Sequence, residues 1–405
     1  MKQTYPRWIV AAAAVLVFGA AHGQGGMRPE IGKPLQAAQD MIKAGKYREA
    51  LGKVREADAV GGKSAAESNT LERMRLAAAS GAGDADTAAR AFESLSAGMG
   101  GAEKLRTIES IAGTYYRGKE YAKAQQWYAR YFREGGTSSA NRTLMIQTQY
   151  LAGDLAGASK ELMAEIQGAE RSGAVPSEDR INLLMNAAVR QKDVTAEAFA
   201  LERLVTYYPK KEYWVTLLSR LQRKPGFSDR LSLDTYRLSL ATGSMSSAAD
   251  YSELAQLALQ AGSGAEAKQV IDKGFAAGVL GTGPEGERHK RLRDLVNKRI
   301  AEANKTADAD EKAALAAKDG NDLLTIGMNQ VFEGNKAKGL QLMQQGIAKG
   351  GVKRPEDAKL HLGIAQLTAG DNARSQATFK GVTGSDGTAD LARLWSLYAR
   401  RAKAG

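Results

Sequence analysis

Few residues in this chain have a claim to chemistry. Gly281-Thr282-Gly283-Pro284-Glu285-Gly286 matches the dinucleotide pattern G-x-G-x-x-G. That pattern works between a strand and a helix, where backbone N–H groups converge on a pyrophosphate. Here Val279 and Leu280 close a helical run, and a chain with 44 glycines meets the spacing by coincidence. Gly61-Gly62-Lys63-Ser64 has the tail of a phosphate-binding loop, but Ala57 stands where the first glycine belongs. His289 and His361 have no His or Cys partner at metal-ligand spacing, and the third histidine, His22, falls within the expected N-terminal signal. There is no cysteine, no G-x-S-x-G elbow and no H-E-x-x-H helix, so thiol chemistry, disulfides and the common hydrolase and zinc motifs are missing. Asp308 and Asp310 sit in a solvated polar run. The expectation is a chain that is not an enzyme and needs no metal or cofactor. One charged stretch stands out, with Arg288, Lys290, Arg291, Arg293, Lys298 and Arg299 within twelve residues. Nucleic-acid binding would interleave aromatics with such cations. Without them the run reads as the polar face of a helix, or as a docking face for an acidic partner or anionic lipid.

The elements that position these residues are helices. Residues 105–132 show the unit. Ile108, Ile111, Ala112 and Tyr115 recur at three- and four-residue steps, and Gly118-Lys119-Glu120 breaks the run. Tyr121, Ala124, Tyr128 and Tyr131 then form a second stripe. Two amphipathic helices joined by a tight turn cannot bury both stripes alone and need a neighbouring copy. The unit recurs. Ala50, Ala88, Ala124 and Ala158 follow glycine-containing turns at separations of 38, 36 and 34 residues. The composition, poor in proline and aromatics and rich in Ala, Leu, Gly, Lys and Glu, favours helix over sheet.

This grammar resembles the tetratricopeptide repeat family, whose unit is about 34 residues long. The resemblance implies an all-α solenoid, a right-handed superhelix of helix-turn-helix repeats closed by a C-terminal capping helix. Residues 24–278 form an N-terminal array of about seven repeats. Two are degenerate, with Glu197 and Arg230 at the small-residue position and Trp214 at the family's Trp position. Residues 279–319 form a charged helical insert or an eroded repeat, since Ala267 and Gly339 lie 72 residues apart. Residues 320–405 hold a C-terminal pair, marked by Gly327 and Gly363, and a capping helix with Leu391, Leu394, Trp395 and Tyr398 on one stripe. In this family helix A of each repeat lines the inner groove. Carried onto this chain, the groove positions are Arg106, Glu109, Tyr116, Arg117, Gln147, Tyr150, Asn182, Asn186, Arg190, Gln222 and Arg223. Amides and arginines there suit an extended peptide or a carboxylate. The implied partner is a protein or peptide segment.

Residues 1–23 read as a secretory signal: Lys2 and Arg7, an apolar run from Trp8 to Ala21, and small residues at Ala21 and Gly23, with cleavage expected before Gln24. The chain is then periplasmic. The net charge of +12 points toward acidic surfaces of the envelope rather than nucleic acid. The blocks LVTYYPKKEYWVTLLSRLQRKPGFSDRL and KRPEDAKLHLGIAQLTAGD are similar to those of proteobacterial periplasmic repeat proteins that accompany TonB-type energy-transduction systems. The resemblance implies an accessory of envelope transport. The alternatives are an accessory of polysaccharide or cell-wall export, and a basic surface that binds anionic lipid.

Overall fold

The computed structural model describes residues 27–401; the expected signal and its cleavage point lie outside them. The described residues form 21 α-helices and no strand. The helices come in hairpins. In the first part of the chain these are α1 (Pro29–Lys43) with α2 (Tyr47–Asp58), α3 (Ala65–Ala82) with α4 (Ala85–Leu95), α5 (Gly101–Arg117) with α6 (Tyr121–Arg133), and α7 (Ser139–Ala152) with α8 (Leu155–Arg171). Then follow α9 (Glu178–Gln191) with α10 (Val194–Tyr207), α11 (Lys211–Gln222) with α12 (Ser232–Ala241), and α13 (Ala248–Gln260) with α14 (Gly264–Ala276). After α15 (Gly286–Asn304) and α16 (Ala307–Ala316) come α17 (Asn321–Glu333) with α18 (Lys336–Lys349), α19 (Pro355–Ala369) with α20 (Asn372–Lys380), and finally α21 (Thr388–Arg401).

Local chemistry sets the boundaries. Ser64, Asp84, Ser138, Asp193, Ser247 and Asp371 accept a backbone N–H from the first turn that follows them, which satisfies donors the helix leaves unpaired. The turns inside the hairpins need one left-handed residue. Gly45, Gly83, Gly153, Gly334 and Gly370 supply it with φ between 74° and 97°, but in the α5–α6 turn the left-handed residue is Lys119 (φ 61°), not Gly118.

The chain divides into two compact units, 27–167 with 186–192, and 168–185 with 193–401. In the first, α1 packs on α2 and α3, α3 on α4 and α5, and α5 on α6, while α2, α4 and α6 each pack on the next hairpin. That is the contact pattern of a stack in which every hairpin is buried by its neighbours. The small residues lie at the crossings: Ala50, Ala88, Ala124 and Ala158 are at most 1% exposed. Phe92, Ile108, Ile111, Tyr115 and Tyr128 fill the space around them.

The second unit starts as the same kind of stack, with α10 through α14 packed in order. There α17 stacks directly on α14. The Ala265 N–H donates to Asn329 Oδ1 at 3.0 Å and the Gln269 amide donates to the Phe332 carbonyl at 2.5 Å. Helix α15 packs beside α13 and α14 through Leu292, Val296 and Ile300. Helix α16 lies against α17, and Lys349 donates to the carbonyls of Ala314, Leu315 and Ala317 at its C-terminal end. Residues 286–316 are therefore an excursion from the stack within this unit.

The stack then turns back. Helix α21 packs against α10 and α12, and α19 meets α12 through side chains, so that α17, α19 and α21 return alongside α14, α12 and α10. Arg230, just before α12, makes a fork with Asp357 of α19 at 2.8 and 2.9 Å and also reaches Asp386 at 2.7 Å. Lys224 pairs with Asp390 at 2.5 Å and Arg393 with Glu202 at 2.8 Å. In a stack limited to nearest neighbours, residues more than a hundred positions apart would not touch. The α17–α18 crossing is held at backbone contact: a Cβ on Gly327 would meet the Gly339 carbonyl at 2.6 Å.

Candidate functional site

Of the positions expected to line a groove, the first unit brings five into one strip. The Tyr116 hydroxyl on α5 donates to Gln147 Oε1 on α7 at 3.4 Å. Three residues on, Tyr150 shares the Gln147 face and lies under the Arg190 guanidinium of α9, 5.2 Å from the ring centre. Asn186 stands one turn before Arg190 and is exposed. Leu151 (48% exposed) and Val189 (47%), the sequence neighbours of Tyr150 and Arg190, are large apolar side chains left in water. Arg117 is exposed and donates to Thr114 Oγ1 at 3.0 Å; Arg106 and Glu109 are exposed earlier on α5.

The remaining expected positions lie in the second unit. Asn182 is engaged: its amide donates to the Tyr213 hydroxyl at 3.2 Å, and that hydroxyl donates to Glu178 at 2.6 Å. Lys210 also pairs with Glu178 at 2.6 Å, and these two partners, the lysine first, hold that carboxyl below its usual range. Gln222 and Arg223 are exposed at the end of α11.

The basic stretch forms the exposed side of α15. Arg288 pairs with Glu285 at 3.3 Å, Lys290 with Glu287 at 2.7 Å and Arg299 with Glu302 at 3.9 Å. Arg293 lies over the Phe275 ring at 4.4 Å. Arg291 and Lys298 have no ion-pair partner among the described residues.

The glycine motifs prove to be architecture. Gly281–Gly286 follows α14 rather than a strand, and the Gly281 N–H donates to His289 Nδ1 at 3.2 Å. At Gly61–Ser64 the backbone offers carbonyls. Arg28 donates to the Gly61 and Gly62 oxygens at 3.1 Å each, and Lys63 donates to the carbonyls of Asp58 and Val60 at 2.5 and 2.9 Å. Ser64 caps α3 in a reciprocal box with Glu67. Arg28 donates to the Glu67 carboxylate and is the main cause of its pKa being held down at about 2.

The buried ion-pair network of the second unit was not singled out from sequence. Arg237 is 6% exposed and forks onto Glu266 with two bonds of 2.6 Å, while its third nitrogen donates to Asp234 at 2.7 Å. The other Asp234 oxygen meets His361 Nε2 of α19 at 2.9 Å. Burial pushes the Asp234 carboxyl up, but His361 and Arg237 outweigh it and hold it at about 2. The nearest sequence hint was Arg230, one of the two charges in a small-residue slot, which bonds Asp357 and Asp386 instead. Among the described residues no group of three or more His, Asp or Glu is placed to hold a metal, and no helix is long and apolar enough to cross a membrane.

No family model and no curated protein matches the chain. Solved structures that align with it include yeast Tom70 (11% identity, 92% of this chain and 96% of that one, TM-score 0.20). The tetratricopeptide domain of P58(IPK) aligns at 11% identity over 92% and 98%, with a TM-score of 0.23. The assignment rests on this chain's own repeat spacing, buried small residues and hairpin contacts. The fold is an all-α stack of tetratricopeptide-type hairpins.

Proposed function

We propose that the protein is a non-catalytic scaffold that holds a protein or peptide segment against the α5–α7–α9 wall of its first unit. The observation that carries this reading is the Tyr116–Gln147 and Tyr150–Arg190 strip. It combines two aromatic rings, an amide and a guanidinium with donors to spare. An extended backbone finds acceptors and donors in such a strip, and an acidic or C-terminal carboxylate finds Arg190. The setting we propose is the periplasm, where the protein would act as an accessory of a TonB-type or other envelope transport system. That setting is supported by the signal-like N-terminus, by the basic net charge and by the two sequence blocks that carry the resemblance.

The test is a pull-down from the envelope fraction with wild-type protein and the Asn186→Ala/Arg190→Ala variant as baits. The variant, altered only at exposed positions, is expected to lose one or more partners. Equal recovery by both baits would remove the wall from consideration. Co-sedimentation with vesicles of neutral and anionic lipid tests the competing lipid reading. Binding that needs anionic lipid and is lost in Arg291→Gln/Lys298→Gln would favour it.

A further inference from the structure

A cleft lies in the second unit, between α13 and α15. Ser252, Gln256, Arg288, His289, Arg291, Leu292 and Leu295 line a cleft of about 260 Å³ there. Four features of this lining point to one kind of occupant. The Ser252 Oγ is buried and makes no hydrogen bond, which is costly for a hydroxyl with nothing to bind. His289 is 6% exposed, and its Nδ1 accepts the Gly281 N–H. In the neutral ring the proton must then sit on Nε2, which becomes a fixed donor. Arg291 brings a guanidinium without an ion-pair partner among the described residues, and Arg288 is tied only to Glu285 at 3.3 Å, both side chains lying well in solvent. The lining includes no carboxylate. A serine, a glutamine, a histidine and two arginines thus line the space, with no carboxylate among them. On the remaining side are Leu292 and Leu295, the latter 45% exposed on an otherwise charged helix.

We propose that this cleft binds a small amphiphile: one anionic headgroup, carboxylate or phosphate, carried on a short apolar stem. The headgroup takes Arg291 and the His289 Nε2–H, the buried Ser252 hydroxyl turns about its χ1 bond to meet it, and the stem lies along Leu292 and Leu295. Sequence alone hides the site, because it joins two helices and because the Gly281–Gly286 turn only serves to lock the histidine ring.

Calorimetric titration of the full chain with octanoate, octyl phosphate, inorganic phosphate and octyl glucoside tests the proposal. One of the two alkyl anions is expected to bind, and the better of the two names the headgroup. Arg291→Gln, at an exposed position, should weaken that binding about tenfold, the scale of one charge-assisted hydrogen bond. Ser252→Ala removes a buried, unpartnered hydroxyl and should weaken binding without lowering the thermal midpoint. The His289 Nε2–H resonance should move on titration. Octyl glucoside binding as well as the anions, or undiminished affinity in Arg291→Gln, would overturn the site. Inorganic phosphate binding as tightly as octyl phosphate would overturn the apolar stem.

Discussion

Replacing Arg237 by methionine should weaken the second unit more than any surface change in it. The guanidinium is 6% exposed and satisfies Glu266 with two hydrogen bonds and Asp234 with a third. Methionine fills much of the volume but leaves Glu266, 3% exposed, as a buried carboxylate without its cation. Asp234 keeps His361, so the damage is concentrated at Glu266. Breaking a buried pair in this way costs about 3–5 kcal/mol. In a unit of this size each kcal/mol moves the melting midpoint by roughly 2–4 °C, so a drop of about 6–20 °C is expected. Hydrogen exchange followed by mass spectrometry locates the loss, which should fall on α12, α14 and the α19 helix that meets α12, with α1–α6 unchanged. The double variant Arg237→Met/Glu266→Leu removes the orphaned charge and should recover most of the lost stability, because an apolar pair of similar volume replaces a buried ion pair at little cost. A single variant that melts within 1–2 °C of wild type, or a double variant less stable than the single, would show that the Arg237–Glu266 fork does not hold this unit together.

Two further outcomes follow from the same unit. Gly327→Ala puts a methyl group against the Gly339 carbonyl and should destabilise the α17–α18 hairpin by about 1–3 kcal/mol; a thermal midpoint equal to wild type would mean that the helices can separate freely. The Asp234 and Asp386 carboxyls are both held at about 2, Asp386 chiefly by the Thr388 hydroxyl and also by Arg230. An unfolded aspartate titrates near 3.9, so folding favours their ionised forms. Their stabilisation is therefore complete above about pH 4 and lost as the pH falls toward 2. Chemical denaturation at a series of pH values should show this decline, and stability unchanged between pH 4 and 2 would contradict it.

The hairpin stack was legible because its determinants are local. A glycine turn, a small residue three or more positions on and two apolar stripes are close in sequence, and burial by the neighbour reads them out directly, as Ala50, Ala88, Ala124 and Ala158 show. The return of the second unit on itself was not legible, because it is made by charges that sequence reading assigns to solvent. Arg230 reaches Asp357 across 127 positions, and Lys224 reaches Asp390 across 166. Charged side chains carry no periodicity that would announce such a partner. The departure from the repeat grammar at Arg230 was visible, but without a partner in view it read as decay of the repeat. The groove positions show the same limit from the other side. Repeat register places Tyr150 and Asn182 on equal terms, yet Tyr150 carries Arg190 on its ring while Asn182 spends its amide on Tyr213. Which of two equivalent polar residues keeps its hydrogen-bonding capacity for a partner depends on what the neighbouring hairpin presents, and repeat register cannot show that. The same holds for His289, a lone histidine in sequence. Its Nδ1 accepts one backbone N–H from a glycine turn, and that bond leaves Nε2 to carry the proton of the neutral ring.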